Sequence, residues 1–216
     1  MKTGIKILLW VLCGVFAYLI YQSITGPIEF QKVKQERFAK VISSLKDIRD
    51  SQEAYKTVKG KYAKDFNSLI NFVDTGAYTI TTQRDTSFMV YSDVFKIDVP
   101  KDSVIIDTLG TVAVRDSLFK KDMRYKTMMN VPGGDGAKFD MKTGNLEKGG
   151  YTASVFEAKV AKSVILGDQP EDLQERENAQ ISVEEVNGSE ITVGSLDQVS
   201  TSGNWPPIYD RNSSKK

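Results

Sequence analysis

The chain has 216 residues, 40% hydrophobic and 26% charged, with a formal charge of +1, a balance that gives no global pull toward nucleic acid. It has no histidine, and its one cysteine, Cys13, lies inside an apolar run. The rest of the chain is therefore excluded from disulfides, thiol nucleophiles and the usual zinc chemistry.

From Ile5 to Ile24 the sequence is apolar except for Lys6 near one end and Gln22-Ser23 at the other. About 20 residues at 1.5 Å rise cross a hydrocarbon core, so residues 1–26 are expected to form a transmembrane anchor. Tyr18 and Tyr21 fall where an aromatic belt forms on the distal side, whereas Trp10 sits deeper. A cleaved signal peptide is the competing reading. The apolar run is long for one, no Ala-x-Ala site follows it, and Cys13 lacks the small residues that precede a lipoprotein cysteine. Lys2 and Lys6 before the span are outnumbered by Lys32, Lys34, Arg37 and Lys40 after it, which taken literally favours a cytoplasmic C-terminal part. Those later charges are mixed with Glu29 and Glu36 and precede a long segment of the kind that translocates largely regardless of charge. The expectation is a cytoplasmic N-terminus.

A break is expected at Gly26-Pro27, with Pro27 in the first turn of a stalk helix over residues 27–60. Phe38, Val41, Leu45, Ile48, Gln52 and Tyr55 keep alternating steps of three and four, a heptad stripe with one polar interruption at Gln52. The opposite face carries Lys40, Lys46, Asp47, Arg49, Asp50, Glu53 and Lys56. Such a stripe needs a partner, either the chain's own sheet or, over its upper part, a second stalk helix. Gly60 supplies a C-cap, and Asp65 opens a short amphipathic turn with Phe66, Leu69, Ile70 and Phe72.

An apolar helix continuing into an amphipathic one, followed by Ala54-Tyr55, Gly60-Lys61-Tyr62 and Phe66 to Leu69, resembles the helix-to-loop passage of type IV pilins and of the pseudopilins of type II secretion. The resemblance implies a loop laid against the helix and a small antiparallel sheet after it. Pilins also carry a glutamate five residues into the mature helix. With Gly4 as the cleavage glycine that position is Leu9, and no acidic residue occurs from Met1 to Gly26. The resemblance therefore implies a pilin-like component that stays in the bilayer. Pseudopilins bind calcium in a late loop, for which Asp135, Asp140, Asn145 and Glu147 are the oxygen donors on hand. Their spacing matches no ion loop, and AKFDMKTGNL reads better as a hairpin turning at Thr143-Gly144.

From Tyr78 the pattern changes to short β-prone runs with breaks at Arg84-Asp85, Ser92-Asp93, Pro100 and Leu109-Gly110, the spacing of an antiparallel meander. Alternation through Phe88, Met89, Val90 and Tyr91 leaves the faces unassigned. Residues 116–129 are mixed with room for a short helix, and 131–136 form a Gly-rich loop without P-loop order. Pro170-Glu171-Asp172 opens an acidic helix whose charge balances the basic stalk, so docking of one on the other, within or between subunits, is expected. ISVEEV and EITVGS around Asn187-Gly188 read as a hairpin. The tail, residues 201–216, carries Trp205, Pro206, Pro207 and Tyr209, either as an extended ligand for another protein or as a pin to the chain's own surface.

The expected fold class is α+β: an N-terminal transmembrane helix continuing into an amphipathic helix that packs on an antiparallel β-sheet, within a β-rich domain over residues 61–200. Without histidine or a cysteine outside the apolar run, no constellation for acid–base or nucleophilic catalysis stands out, and no cofactor is implied. The function expected is that of a non-enzymatic subunit of an envelope complex, in the bacterial inner membrane with its C-terminal domain in the periplasm. Its partners are the lipid bilayer and other membrane or envelope proteins rather than nucleic acid, with a homo-oligomer possible through the stalk. The residues expected to meet a partner are Phe30, Val33, Phe38, Val41, Trp205 and Tyr209. The alternative is an anchored sensor or binding module for a small ligand or ion.

Overall fold

The structure, a computed structural model, describes residues 2–92, 94 and 96–211. Helix α1 spans Lys2–Lys59, and near its N-terminus it is long and apolar enough to cross a membrane, by length and composition. Helix α2 (Phe66–Thr75), strands β1 (Ala77–Ser92) and β2 (Ile97–Ala113), and helix α3 (Val114–Leu118) follow. After these come β3 (Asp140–Lys148), β4 (Tyr151–Ala161), α4 (Lys162–Leu166), α5 (Glu171–Ala179), β5 (Glu190–Gly194) and α6 (Ile208–Arg211). The class is α+β, with the amphipathic helix against antiparallel sheet. The expected break at Gly26-Pro27 is absent, because α1 continues through Pro27. Proline deletes one helical hydrogen bond at a cost of about 3 kcal/mol, which long helical flanks on both sides absorb.

The chain divides into two compact units, one made of residues up to Arg49 and from Thr127 onward, the other of Asp50–Lys126. In the first, a three-stranded antiparallel sheet has the order β3-β4-β5. Direct pairing of Ala158 with Val193 and of Val160 with Ile191 puts those four on one face with Phe156, and all five are buried. Phe38, Val41, Ile42, Leu45 and Ile48 of α1, also buried, complete this core. Burial of such a stripe, at roughly 1.5–3 kcal/mol per large aliphatic side chain, is what holds the helix.

Two turns differ from expectation here. Strand β3 passes through Thr143-Gly144 without turning, and the β3-β4 turn falls at Gly149-Gly150, with φ of 61° and 82°. Two consecutive left-handed residues suit glycines and penalise a β-branched threonine. Nor does Asn187-Gly188 join a hairpin: residues 181–186 form no strand, and β5 pairs with β4 instead. Ile181 and Val183 are exposed while Val186 is buried, so that run's alternation reflects no sheet face.

In the second unit Tyr55, near the end of α1, packs edge-on against Phe72 of α2, and α2 packs with α3. Its core holds Ala54, Tyr62, Ala63, Leu69, Phe72, Val73, Val114, Phe119 and Tyr125. Gly60, at φ 75°, closes α1 through its N–H to Lys56 O at 2.7 Å. Asp65 caps α2 by accepting from Ser68 N at 2.9 Å. Gln52 is fully buried and makes two hydrogen bonds with Ala63, from its Nε2 to the carbonyl at 3.0 Å and to its Oε1 from the N–H at 2.9 Å. The polar interruption of the stripe thus ties the loop after α1 to the helix.

The expected meander is a single long ribbon, because β1 and β2 pair from Ala77–Ala113 to Ser92–Ile97. Arg84-Asp85 and Pro100 lie within the strands, and Leu109-Gly110 marks an irregularity beside Ile80/Thr81 rather than a turn. Of the expected Ser92-Asp93 turn, Asp93 lies outside the described residues. A two-stranded ribbon has no buried face to exclude charged residues, and a proline without an N–H is tolerated on a strand with a free edge.

Candidate functional site

Three features are built to meet something or to hold something still. The first is the apolar part of α1, whose large side chains are exposed all round, from Ile5 at 62% through Trp10 at 80% to Ile24 at 59%. No face of this segment is spared, unlike the single stripe further along the same helix.

The second is a buried ionic network in the first unit. Lys34 occupies the stripe position one turn before Phe38, and it is only 1% exposed. Its Nζ reaches Glu177 Oε2 of α5 and Glu185 Oε2, both at 2.8 Å. Glu177 Oε1 accepts from Lys162 Nζ at 2.8 Å, and Lys162 also donates to the carbonyls of Glu177 at 3.2 Å and Val186 at 2.6 Å. Two lysines and two carboxylates thus alternate, which answers the desolvation of each charge with hydrogen bonds. At the rim, Arg37 donates through Nη2 to Asp168 Oδ2 at 2.8 Å and through Nη1 to Ile165 O at 2.8 Å. That guanidinium holds the Asp168 carboxyl down at about 2. The acidic segment therefore docks on the basic one within the chain, as the charge pattern led us to expect.

The residues expected to meet a partner fall in this same unit. Phe30, Phe38 and Val41 are buried, and Val33 is half-buried. Trp205 is buried over Gly203, where an added Cβ would lie 2.3 Å from the indole. The Trp205 N–H donates to Asp210 Oδ1 at 3.2 Å, and Lys46 donates to the Tyr209 carbonyl at 2.7 Å. Burial, reinforced by the Glu185 and Glu177 carboxylates, pushes the Tyr209 phenol up to about 12. Of the two readings of the tail, its described residues, up to Arg211, have the pin, and residues 212–216 lie outside the described residues. The sequence reading missed Lys34, although its four-residue step before Phe38 marks it, and missed Lys162, Glu177 and Glu185, which nothing local distinguishes.

The calcium donors are not gathered. Asp140 and Asn145 project to opposite faces of β3 by strand alternation, Asp140 pairs with Lys142 at 3.1 Å, and Asn145 accepts from Ser154 at 3.2 Å. Among the described residues, no group of three or more His, Cys, Asp or Glu side chains converges.

The third feature is the ribbon. Directly paired residues share a face, so Phe88 with Lys101, Val90 with Val99, Arg84 with Ile105 and Ser92 with Ile97 form one side. Met89 with Pro100, Tyr91 with Asp98, Asp85 with Val104 and Gln83 with Ile106 form the other. Phe88, Met89, Val90, Tyr91, Ile97, Val104, Ile105, Ile106 and Leu109 are all exposed. A two-stranded ribbon carrying this much open apolar surface is marginal alone and is the kind of patch that marks a protein interface. A shallow open depression crosses its waist, lined by Asp85, Thr86, Ser87, Asp102, Ser103 and Val104.

Compared with protein-family models, with curated proteins and with solved structures, the chain matches none.

Proposed function

We propose that the protein is a non-enzymatic single-pass membrane protein, a structural or assembly subunit of an envelope complex of the pilus or secretion kind, which presents its α+β part to protein partners. Ile5–Ile24 lies in the bacterial inner membrane and the α+β part in the periplasm. The observation that carries this reading is the apolar start of α1, exposed on every side and continuous with a helix locked into a folded unit. Lipid satisfies such a surface, since its backbone polar groups are already paired within the helix. The ribbon then supplies an apolar surface for partners.

Fractionation tests the anchor: the protein is expected to stay in the membrane pellet after alkaline carbonate, and release into the supernatant would remove it. Purification from native membranes in mild detergent is expected to recover other membrane proteins in fixed ratio. A small isolated species, thermally stabilised by a small ligand, would instead support an anchored sensor.

A further inference from the structure

Each ribbon strand carries a basic residue followed at once by an acidic one, Arg84-Asp85 on β1 and Lys101-Asp102 on β2. Neighbours along a strand point to opposite faces. The register places both basic residues on the face with Phe88, Val90, Val99 and Ile105, and both acidic ones on the face with Met89, Tyr91, Val104 and Ile106. Arg84 is paired with Asp107 on its own face, which among the described residues leaves Lys101 as the open cation there. On the other face Asp98 joins Asp85 and Asp102, and among the described residues of the ribbon that face has no cation. Both faces are apolar and exposed, and their charges are opposite in sign.

We propose that the ribbon docks on a second copy of this chain, the Lys101 face of one copy seating on the Asp85/Asp102 face of the next. Lys101 of the incoming copy enters the depression between Asp85 and Asp102, where the small side chain of Ser87, on the same face, leaves room for it. The apolar residues flanking the depression on each side are covered at the same time. A second copy is favoured over an unrelated protein because the complementary chemistry is already present on the reverse of the same ribbon. Such a contact is heterologous, so it closes into a ring or continues as an open array. The proposal rests on the reading of the ribbon as the presented surface, and it gains from copies concentrated in one membrane.

The test is self-association of the full-length protein in mild detergent, measured by light scattering over a concentration series. Wild type is expected to be oligomeric. Lys101→Glu alone and Asp102→Lys alone are expected to weaken association by tenfold or more. The double variant carrying both changes, and an equimolar mixture of the two single variants, are expected to restore it, because each swapped face then meets its complement. Restoration also shows that the ribbon remains folded. A monomeric wild type, an oligomer indifferent to both single changes, or a double variant that stays dissociated each overturns the proposal. A monomer that remains carbonate-resistant and still co-purifies other membrane proteins overturns this inference and leaves the functional reading standing.

Discussion

Gln52 and Lys34 show how a single polar residue in an apolar stripe acquires meaning. Gln52 satisfies both backbone groups of Ala63, so Gln52→Leu, which suits the stripe by volume, strands a buried donor and acceptor. The expected loss is about 1–3 kcal/mol per stranded group, read by urea denaturation. Glu177 lies between two lysines, each 1% exposed. Glu177→Gln keeps the shape and removes the charge both need, and a loss of about 3 kcal/mol or more is expected. Asp168 behaves differently because it is largely exposed. Its carboxyl, held at about 2 by Arg37, contributes stability that is complete above the ordinary aspartate range near 3.9 and fades as pH falls toward 2. Carboxyl NMR should find the midpoint near 2 in the wild type, and Arg37→Ala should move it up toward the ordinary range.

Helix α1 is tied by two kinds of ion pair, Lys34–Glu177 to α5 and Arg37–Asp168 to the segment between α4 and α5, and salt separates them. A double-mutant cycle on Arg37 and Asp168 is expected to give at most about 1 kcal/mol, fading at high salt. The cycle on Lys34 and Glu177 should keep its coupling energy under the same salt, because that pair is out of reach of solvent. Equal salt sensitivity of the two cycles would contradict the burial described. At this scale the ribbon was least legible. Arg84-Asp85, Pro100 and Leu109-Gly110 carry turn chemistry in sequence, yet the strands run through them. Turn residues are decisive only where a buried face punishes misplacement, and a ribbon open on both sides imposes no such penalty. The opposite-sign dyads were present in the sequence, but only the register of β1 on β2 sorts them into faces.

For the whole molecule, the reading depends on the apolar start of α1 partitioning into lipid. Leu12→Arg or Phe16→Arg, each costing about 2.5–3.5 kcal/mol near the centre of a span, is expected to raise the carbonate-extractable fraction. Unchanged retention would mean that something other than this segment holds the protein to the membrane. The sequence by itself determined the apolar segment, the heptad stripe, the Gly60 and Asp65 caps, the acidic helix and its attraction to the basic one. Each is a local pattern whose physical cause acts within a few residues or through net charge. Tertiary structure alone decided that Lys34 is enclosed with Glu177, Glu185 and Lys162, that β3 turns at Gly149-Gly150, that β5 joins β4, and that the ribbon has a basic and an acidic face. Those outcomes depend on which distant segments meet and in what register. Both are set by the burial of whole faces, which no short stretch of sequence records.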